Sequence, residues 1–373
     1  MQLVTARLVD FRNVTADIEF GPGLNVFTGR NGQGKTNVLE SVFAVANGKS
    51  FRPGRLVDMV RFDAAYCRVD LQVESAGVIT PVSMTIAGKE RRHTVGGNEN
   101  CTLVEVGTAL RVIFFGPEDL DLLKGGPGAR RAFIDQALVG HHPPYGELLK
   151  AYGKLLRERT LLLRETGYAR PPPFELIESY EQELARKGAQ ILSARLKYLR
   201  EFNPVAERLT GLHSDGRLPV TLRYKSSFEP AQRAGDPPEA DELTAPLYQH
   251  FAKTRMADAE CGRTTTGPHV DDLDILLRGR SARFFASQGE QRQLAVSLKI
   301  AQLAVWKERF SVCPVLLLDD VLSELDGERS GLLMSGIREW QVQTLISTTV
   351  APDMVSKEPV RFFHVRDGMI VQE

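Results

Sequence analysis

A chain of 373 residues with 42% hydrophobic content can bury a sizeable core and has room for roughly two or three domains of ordinary size. Its 47 basic and 47 acidic residues cancel, so net charge recruits it to neither DNA, membrane nor an acidic substrate, and any nucleic-acid site has to be a local patch. Four scattered cysteines, Cys67, Cys101, Cys261 and Cys313, lack a CxxC pair or histidines at ligand spacing, which argues against a disulfide framework and a zinc site.

No run approaches the roughly 18 apolar residues of a membrane span, and MQLVTARLVDF has no basic stretch leading into an apolar segment, so a cytoplasmic protein is expected. From Met1 to about Phe115 the signals are mostly those of strands. Cys67, Val69, Leu71 and Val73 alternate with polar residues, as do Val82, Met84 and Ile86, with AGKE and VGGN as hairpin turns. Within this region GLNVFT reads as a short strand, GRNGQGKT (29–36) follows, and NVLESVFAVA puts Val38, Leu39, Val42, Phe43 and Ala46 on one helical face. The octet fits G-x-x-x-x-G-K-[ST] through Gly29, Gly34, Lys35 and Thr36. A surface turn is the competing reading, but strand, glycine loop and helix form the context of a phosphate cradle. Glycines let backbone N–H groups curl around phosphate oxygens, and the helix brings its positive end. Lys35 then reaches the β- and γ-phosphates, and the Thr36 hydroxyl ligates Mg²⁺.

At GGPGARR (125–131) the character changes, and through Phe202 the chain reads as helical. Leu148, Leu155 and Leu162 recur at heptad spacing, as do Leu149, Leu156 and Leu163. After ARPPP (169–173) a second run sets Ile177, Tyr180, Leu184, Ile191, Ala194 and Tyr198 on one side. Two helices of roughly 30 to 45 Å each, joined by a proline loop, suggest a short hairpin arm. Arg130 and Arg131 follow the glycine loop, and Lys150, Lys154, Arg157, Arg159, Arg186, Lys187, Arg195, Lys197 and Arg200 decorate the hairpin. Such a face is either merely solvated or a groove for DNA phosphates with salt-sensitive, sequence-independent contacts. Residues 229–243, proline-rich and acidic, read as a loop.

From about Gly262 the α/β pattern returns. SQGEQRQLAVSLKIAQLAV (287–305) opens a helix at Ser287, Gln288, Gly289, Glu290 and Gln291, with Leu294, Leu298, Ala301 and Val305 among its apolar positions. Alone, SQG is an ordinary helix cap. PVLLL (314–318) is a buried strand running into Asp319 and Asp320, the arrangement in which Asp319 holds magnesium and Asp320 orients an attacking water. An aspartate pair capping the next helix is the plainer alternative. SELD (323–326), with Ser323 and Asp326, comes next, and QTLIST (343–348) reads as another strand.

Cradle, S-x-G-x-Q helix start, strand ending in Asp-Asp and SELD, in that order, resemble the ABC-type ATPases, where the S-x-G element of one subunit completes the ATP site of another. FRN (11–13), GRNGQGKTNVLES, GKSFR (48–52), FFGPEDL (114–120), ARRAFID (129–135), GPHVDDL (267–273), FASQGEQR (285–292) and LLLDDVLSELD (316–326) narrow this to the RecF family of bacterial recombinational repair ATPases, over nearly the whole chain. The resemblance implies an α/β ABC-type P-loop head, with a mixed-sheet core and antiparallel β flank, over 1–128 and 260–373, and a helical arm over 129–259. It implies ATP and Mg²⁺ as cofactors, with ATP ligands at Arg12, Asn13, Gly29, Arg30, Asn31, Gly32, Gln33, Gly34, Lys35, Thr36 and Asn37. It further implies a trans contact through Ser287–Gln291, a D-loop at Ser323 and Asp326, and catalysis by Lys35, Asp319 and Asp320. An ATP-dependent homodimer is implied on DNA at gaps, single-strand/duplex junctions and stalled forks. So are weak DNA-dependent ATPase activity, a nucleoid-associated location, help to RecO and RecR in loading RecA, and DNA contacts among Arg130, Arg131, Lys150, Arg186 and Lys187.

Three departures from the superfamily pattern bear on mechanism. Asp320 stands where most ABC motors have Glu, which predicts slow hydrolysis. FGPE offers Glu118 in place of the Q-loop glutamine. The switch histidine is missing, leaving Thr348 or Thr349, or His269 of GPHVDDL, as γ-phosphate sensor, although a lone histidine is often structural. A transporter motor, an SMC-type chromosome head and a small-molecule kinase compete. The helical hairpin, the lack of a long coil, and SQGEQR with SELD count against each in turn.

Overall fold

The structure, a computed structural model, describes residues 1–120, 122–165, 174–212, 214, 218–228, 231, 235–310, 313–349 and 360–373. The chain forms two compact units, Met1–Leu120 with Ala295–Glu373, and Asp121–Leu294. In chain order the elements are β1 (Gln2–Phe11), β2 (Val14–Glu19), β3 (Leu24–Thr28), α1 (Lys35–Asn47), β4 (Tyr66–Ser75), β5 (Val78–Ala87), β6 (Glu90–Val95), β7 (Asn98–Glu99), α2 (Leu103–Ala109), β8 (Val112–Phe115) and α3 (Pro117–Leu120). There follow α4 (Pro127–His141), α5 (Pro144–Glu165), α6 (Phe174–Leu212), β9 (Val220–Lys225), α7 (Ala240–Cys261), β10 (Asp272–Leu277), β11 (Arg280–Ser281), α8 (Ala282–Phe285) and α9 (Gln288–Arg309). Last come β12 (Val315–Asp319), α10 (Gly327–Trp340), β13 (Thr344–Thr348), β14 (Val360–Arg366) and β15 (Met369–Gln372).

Alternation builds the first sheet, of order β2-β1-β4-β5-β6-β7 and antiparallel throughout. Cys67, Val69, Leu71 and Val73 on β4 and Val82, Met84 and Ile86 on β5 are all buried, so one face packs inward while the other meets water. The second sheet runs β15-β14-β3-β13-β12-β8; its strands pair in parallel except for the β14–β15 hairpin. Its central strands β12 and β13 are buried at every residue, which is why neither alternates and β12 reads as an apolar run. Helix α1 joins both sheets in one core, through Val38, Leu39, Val42, Phe43, Ala44 and Val45.

In the second unit α6 packs along α5 and, most extensively, along α7, so the α5–α6 pair expected of an arm is accompanied by a third helix. Helix α6 runs through Pro204 to Leu212, beyond the expected end near Phe202. The ARPPP turn between α5 and α6 lies outside the described residues. A three-stranded antiparallel sheet, β11-β10-β9, completes the unit and leads through α8 into the start of α9. Heptad leucines Leu148, Leu149, Leu155, Leu156 and Leu162 of α5 are half-buried, while Leu163 is fully interior beside a seam of Tyr145, Tyr152 and Arg159. That seam is polar because it faces a network: Arg195 bridges Asp135, Tyr224 and the Pro268 carbonyl, and Asp271 accepts from Tyr224, Ser226 and Ser227. Burial of these charges is tolerated because each finds partners.

Candidate active site

Strand β3 is buried up to Phe27, and the chain leaves it in backbone conformations that L side chains avoid: Gly29 at φ 143°, Gly32 at 79° and Gly34 at 117°. A Cβ on Gly29 would lie 2.3 Å from the Val365 carbonyl oxygen, so sterics as well as φ require glycine there. Gly34 caps α1 without a side-chain hydrogen bond, so no side-chain cap competes at the positive end of the helix. The Lys35 ammonium folds across this loop and donates to the carbonyls of Gly29 (2.7 Å) and Arg30 (3.0 Å). Burial lowers its pKa, while Asp320 and Asp319 pull the other way. The loop is pinned from outside: Gly368 N–H donates to the Gln33 carbonyl at 2.9 Å, Asp367 N–H to Gln33 Oε1 at 2.6 Å, and the Asn37 amide to Asn13 Oδ1 at 2.6 Å.

Strand β12 delivers two carboxylates to the same unit. Asp319 is buried, and its Oδ1 accepts the Ser347 hydroxyl at 2.6 Å. Asp320 leaves the strand in the left-handed region, at φ 51°, its N–H held by both the carbonyl (3.1 Å) and the hydroxyl (3.0 Å) of Ser347. Its Oδ1 is buried and finds no hydrogen-bond partner among the described residues, which is unusual for a carboxylate outside a ligand site. The Ser323 hydroxyl donates to the Asp320 carbonyl at 2.7 Å, and Asp326 caps α10 by accepting from Arg329 N–H at 3.0 Å. Thr36 lies in the first turn of α1, and Asp319 is within electrostatic reach of its neighbour Lys35. One hydroxyl and one or two carboxylates suit Mg²⁺, which takes its remaining ligands from phosphates and water rather than from an all-protein cage. Accordingly, no group of three acidic, histidine or cysteine ligands occurs among the described residues.

Arg12 reaches Glu40 rather than the loop: Nε and Nη2 each lie 2.6 Å from the fully buried carboxylate, and Nη1 donates to the Asp58 carbonyl. Arg52 joins from the other side, 3.3 Å from Glu40, and donates to Asn37 at 2.9 Å. Arg12 therefore sets the wall behind α1, and Asn13 is the member of that pair that touches the cradle. Glu118 is exposed on α3, whereas its neighbour Asp119 is bound by Lys299 at 2.8 Å. Thr348 is buried at the end of β13, opposite Thr28.

The remaining candidates lie in the second unit. Ser287 and Glu290 cap α9 reciprocally: Ser287 N–H donates to Glu290 Oε2 at 2.8 Å, and Glu290 N–H to Ser287 Oγ at 3.3 Å. Acting there as acceptor, the Ser287 hydroxyl keeps its proton for another group; Ser287 and Gln288 are exposed, with Gly289 beside them. Gln291 instead turns inward and donates to the carbonyls of Ala282, Arg283 and Ala286, so it fastens α8 to α9. On α8, Phe284 and Phe285 stay 76% and 64% exposed, each beneath a guanidinium, that of Arg283 or Arg280. His269 has both ring nitrogens engaged, with the Tyr152 hydroxyl at 2.9 Å and the Thr264 carbonyl at 3.2 Å, and burial lowers its pKa. Arg130 is buried in a bidentate pair with Asp272, Arg131 donates to the Asp271 carbonyl, and Lys150 and Arg186 pair with Glu147 and Glu183. Lys187 is half-buried on α6.

The family model described as "RecF/RecN/SMC N terminal domain" matches residues 2–370. The DNA replication and repair protein RecF of Heliobacterium modesticaldum is 34% identical over 354 residues, 94% of this chain and 92% of that protein. The chain belongs to the RecF family. RecF of Bacillus subtilis is 31% identical over the full length of both chains. A solved structure of the recombination mediator protein RecF with ATP superposes with a TM-score of 0.87 at 28% identity, covering 100% of this chain and 97% of that one. An SMC head bound to the C-winged helix domain of ScpA, at 14% identity and a TM-score of 0.56, shares the fold. The fold is thus the ABC/SMC-like ATPase head of RecF proteins, and no helix among the described residues is long and apolar enough to cross a membrane.

The Asp319–Asp320 end of β12 was readable in the RecF-type sequence. Ser347 was not, because its role depends on the register that sets it beside Asp319, 28 residues away. The signal that could have found it is the Ser347–Thr348 pair of hydroxyls at the buried end of β13.

Proposed function

We propose that this chain is an ATPase of DNA replication and repair in which ATP closes two copies of the protein head to head on DNA, and slow hydrolysis releases them. What carries the reading is the unpartnered, buried Asp320 Oδ1 in the unit that holds the Lys35 cradle: a carboxylate oxygen kept clear of protein donors can accept from a water aimed at the γ-phosphate. Lys35 would exchange its two loop carbonyls for phosphate oxygens, and the N–H groups at the start of α1 would take the rest. Thr36 and Asp319 would hold the magnesium ion, which supplies charge neutralisation when bound.

The exposed start of α9 offers Ser287 and its backbone N–H groups to a γ-phosphate held by a second copy. A phosphate contacted by both heads stabilises the dimer alone, so ATP and not ADP shifts the equilibrium. Because the α5 and α6 cations are largely neutralised by neighbouring acids, with Arg130 serving the fold, DNA contacts on this unit are salt-sensitive and lean on Arg131 and Lys187. The family relation supports gapped DNA as substrate and RecO and RecR as partners in loading RecA.

Sedimentation velocity with ATP, with ADP and without nucleotide tests the reading. ATP alone should produce dimers; Lys35→Met should abolish nucleotide binding, and Ser287→Arg should bind ATP yet stay monomeric. Equal monomer fractions in all three conditions would sink the proposal.

A further inference from the structure

Gly48 closes α1 in the left-handed region, at φ 64°, and GKSFR (48–52) doubles back along the helix, so that Ser50 comes level with Glu40 and Arg52 with Asn37. The segment is held at several points. Glu40 Oε1 accepts the Ser50 hydroxyl at 2.5 Å, and the same hydroxyl oxygen accepts the Arg52 backbone N–H at 2.8 Å. Phe51 stacks on Phe114 of β8 with 4.1 Å between ring centres and meets Phe43 of α1 edge-on at 5.4 Å. These anchors do not involve the Arg52 guanidinium, so they keep the segment in place without it.

That guanidinium lies 3.3 Å from Glu40 and donates to Asn37 Oδ1 at 2.9 Å. A guanidinium can only donate, which obliges the Asn37 amide to give it the oxygen and to turn its NH2 the other way. There the NH2 donates to Asn13 Oδ1 at 2.6 Å. Asn13, its oxygen taken, directs its own NH2 at the Gln33 carbonyl in the phosphate loop, at 3.4 Å. One fixed donor therefore sets the sense of two amides in series. Because Asn37 follows Thr36 in the first turn of α1, the series braces both the loop and the turn that carries the hydroxyl.

We propose that Arg52 is a positioning residue of the ATP site, acting through the Asn37 and Asn13 amides on the phosphate loop at Gln33 rather than on the nucleotide itself. The inference rests on the ATPase reading above. Without Arg52 the Asn37 amide can rotate by half a turn, which sets its oxygen against that of Asn13; to avoid this, Asn13 turns its NH2 away from the loop. Lys35 and the N–H groups of α1 would still hold ATP in the ground state. What suffers is the alignment of the γ-phosphate with the attacking water, which raises the barrier more than it weakens binding.

The test compares Arg52→Ala, Asn37→Ala, their double variant and Asn37→Asp in the full chain by kcat, by ATP affinity from calorimetric titration and by melting temperature. Arg52→Ala should lower kcat about tenfold, the effect of one hydrogen bond to a charged group, with ATP affinity little changed. The double variant should be no slower than Asn37→Ala, because both substitutions break the same series of bonds. Asn37→Asp keeps the acceptor for Arg52 but removes the donor to Asn13, so it should lose kcat as Arg52→Ala does while melting with the parent, which a purely structural arginine would not produce. Parental kcat in Arg52→Ala overturns the inference, as does a loss in the double variant equal to the product of the single losses. Should Arg52→Ala fail to fold, parental kcat in Asn37→Asp overturns it. A parent that hydrolyses no ATP sinks the ATPase reading and this inference with it; an active parent beside an equally active Arg52→Ala sinks this inference alone.

Discussion

Ser347 on β13 gives its hydroxyl proton to Asp319 on β12 across a 2.6 Å bond, and the same oxygen accepts from the Asp320 N–H at 3.0 Å. One side chain thereby orients the first carboxylate and helps hold the second residue in a left-handed conformation, at φ 51°, that few non-glycine residues adopt. Removing it should disturb catalysis more than folding. A hydrogen bond to a charged group is worth about 1.5 to 3 kcal/mol, so Ser347→Ala should lower kcat on the order of tenfold or more, with little change in KM for ATP. Steady-state kinetics check this; a variant with raised KM and unchanged kcat would make Ser347 a binding residue instead.

Lys35 sits between burial and two carboxylates. Burial drives its pKa down, Asp320 and Asp319 drive it up, and the net shift is down, so in the absence of nucleotide the cost of desolvation exceeds the attraction. Lys35→Met should therefore leave the melting temperature of the unliganded protein unchanged or raised, while ATP should no longer raise it. Differential scanning calorimetry with and without ATP measures both. A variant that melts well below the parent would mean that the lysine is structural.

What could be read from the sequence was local. The β3–loop–α1 unit, the alternation of β4 and β5, the apolar run of β12 and the short strand β13 each lie in a few consecutive residues, and period and composition betray them. What escaped depends on pairing across the chain. Glu40 lies in the middle of an apolar helix and gave no hint that Arg12 would turn to it. Gln33 is held by a turn more than 330 residues later. Heptad spacing marked α5 correctly as a helix, yet the leucines drew the eye from the inner seam at Tyr145, Tyr152 and Arg159, because a buried arginine looks like a surface one until its partners are known. The basic residues chosen as DNA contacts failed to reveal their acids for the same reason: Arg130 meets Asp272 only in the fold.

His269 should make stability depend on pH. Neutral imidazole satisfies its surroundings, Nε2–H donating to the Thr264 carbonyl while Nδ1 accepts from the Tyr152 hydroxyl. Burial holds the folded pKa below the ordinary 6.5, although the Thr264 carbonyl and Asp271 oppose the shift. The unfolded chain then binds the proton more readily, so the contribution to stability is complete above about 6.5 and lost as pH falls through the folded value. Urea midpoints measured between neutral and mildly acidic pH should decline more steeply in the parent than in His269→Gln. Parallel curves would assign the acid sensitivity to other groups.

Arg159 carries the largest expected stability effect. It is fully buried, with Nη1 bonded to Asp258 and Thr264 and Nη2 to Glu181, all at 2.7 to 2.8 Å, joining α5, α6 and α7. Glu181 and Asp258 are equally buried; Arg255 assists Glu181, and Thr265 assists Asp258. Arg159→Met keeps much of the volume but leaves Asp258 without a cation, and breaking a buried pair from one side costs about 3 to 5 kcal/mol. The double variant Arg159→Met with Asp258→Asn removes both charges and should recover a large part of that loss, because the penalty lies in the abandoned carboxylate more than in the missing bond. Urea denaturation of the full chain, followed by a probe of helix content, separates the cases. If the single variant is as stable as the parent, water reaches the cluster and the network is not the keystone of this unit. If the double variant is no better than the single, packing of the arginine stem against Phe251, 5.8 Å from the guanidinium to the ring centre, outweighs the charge.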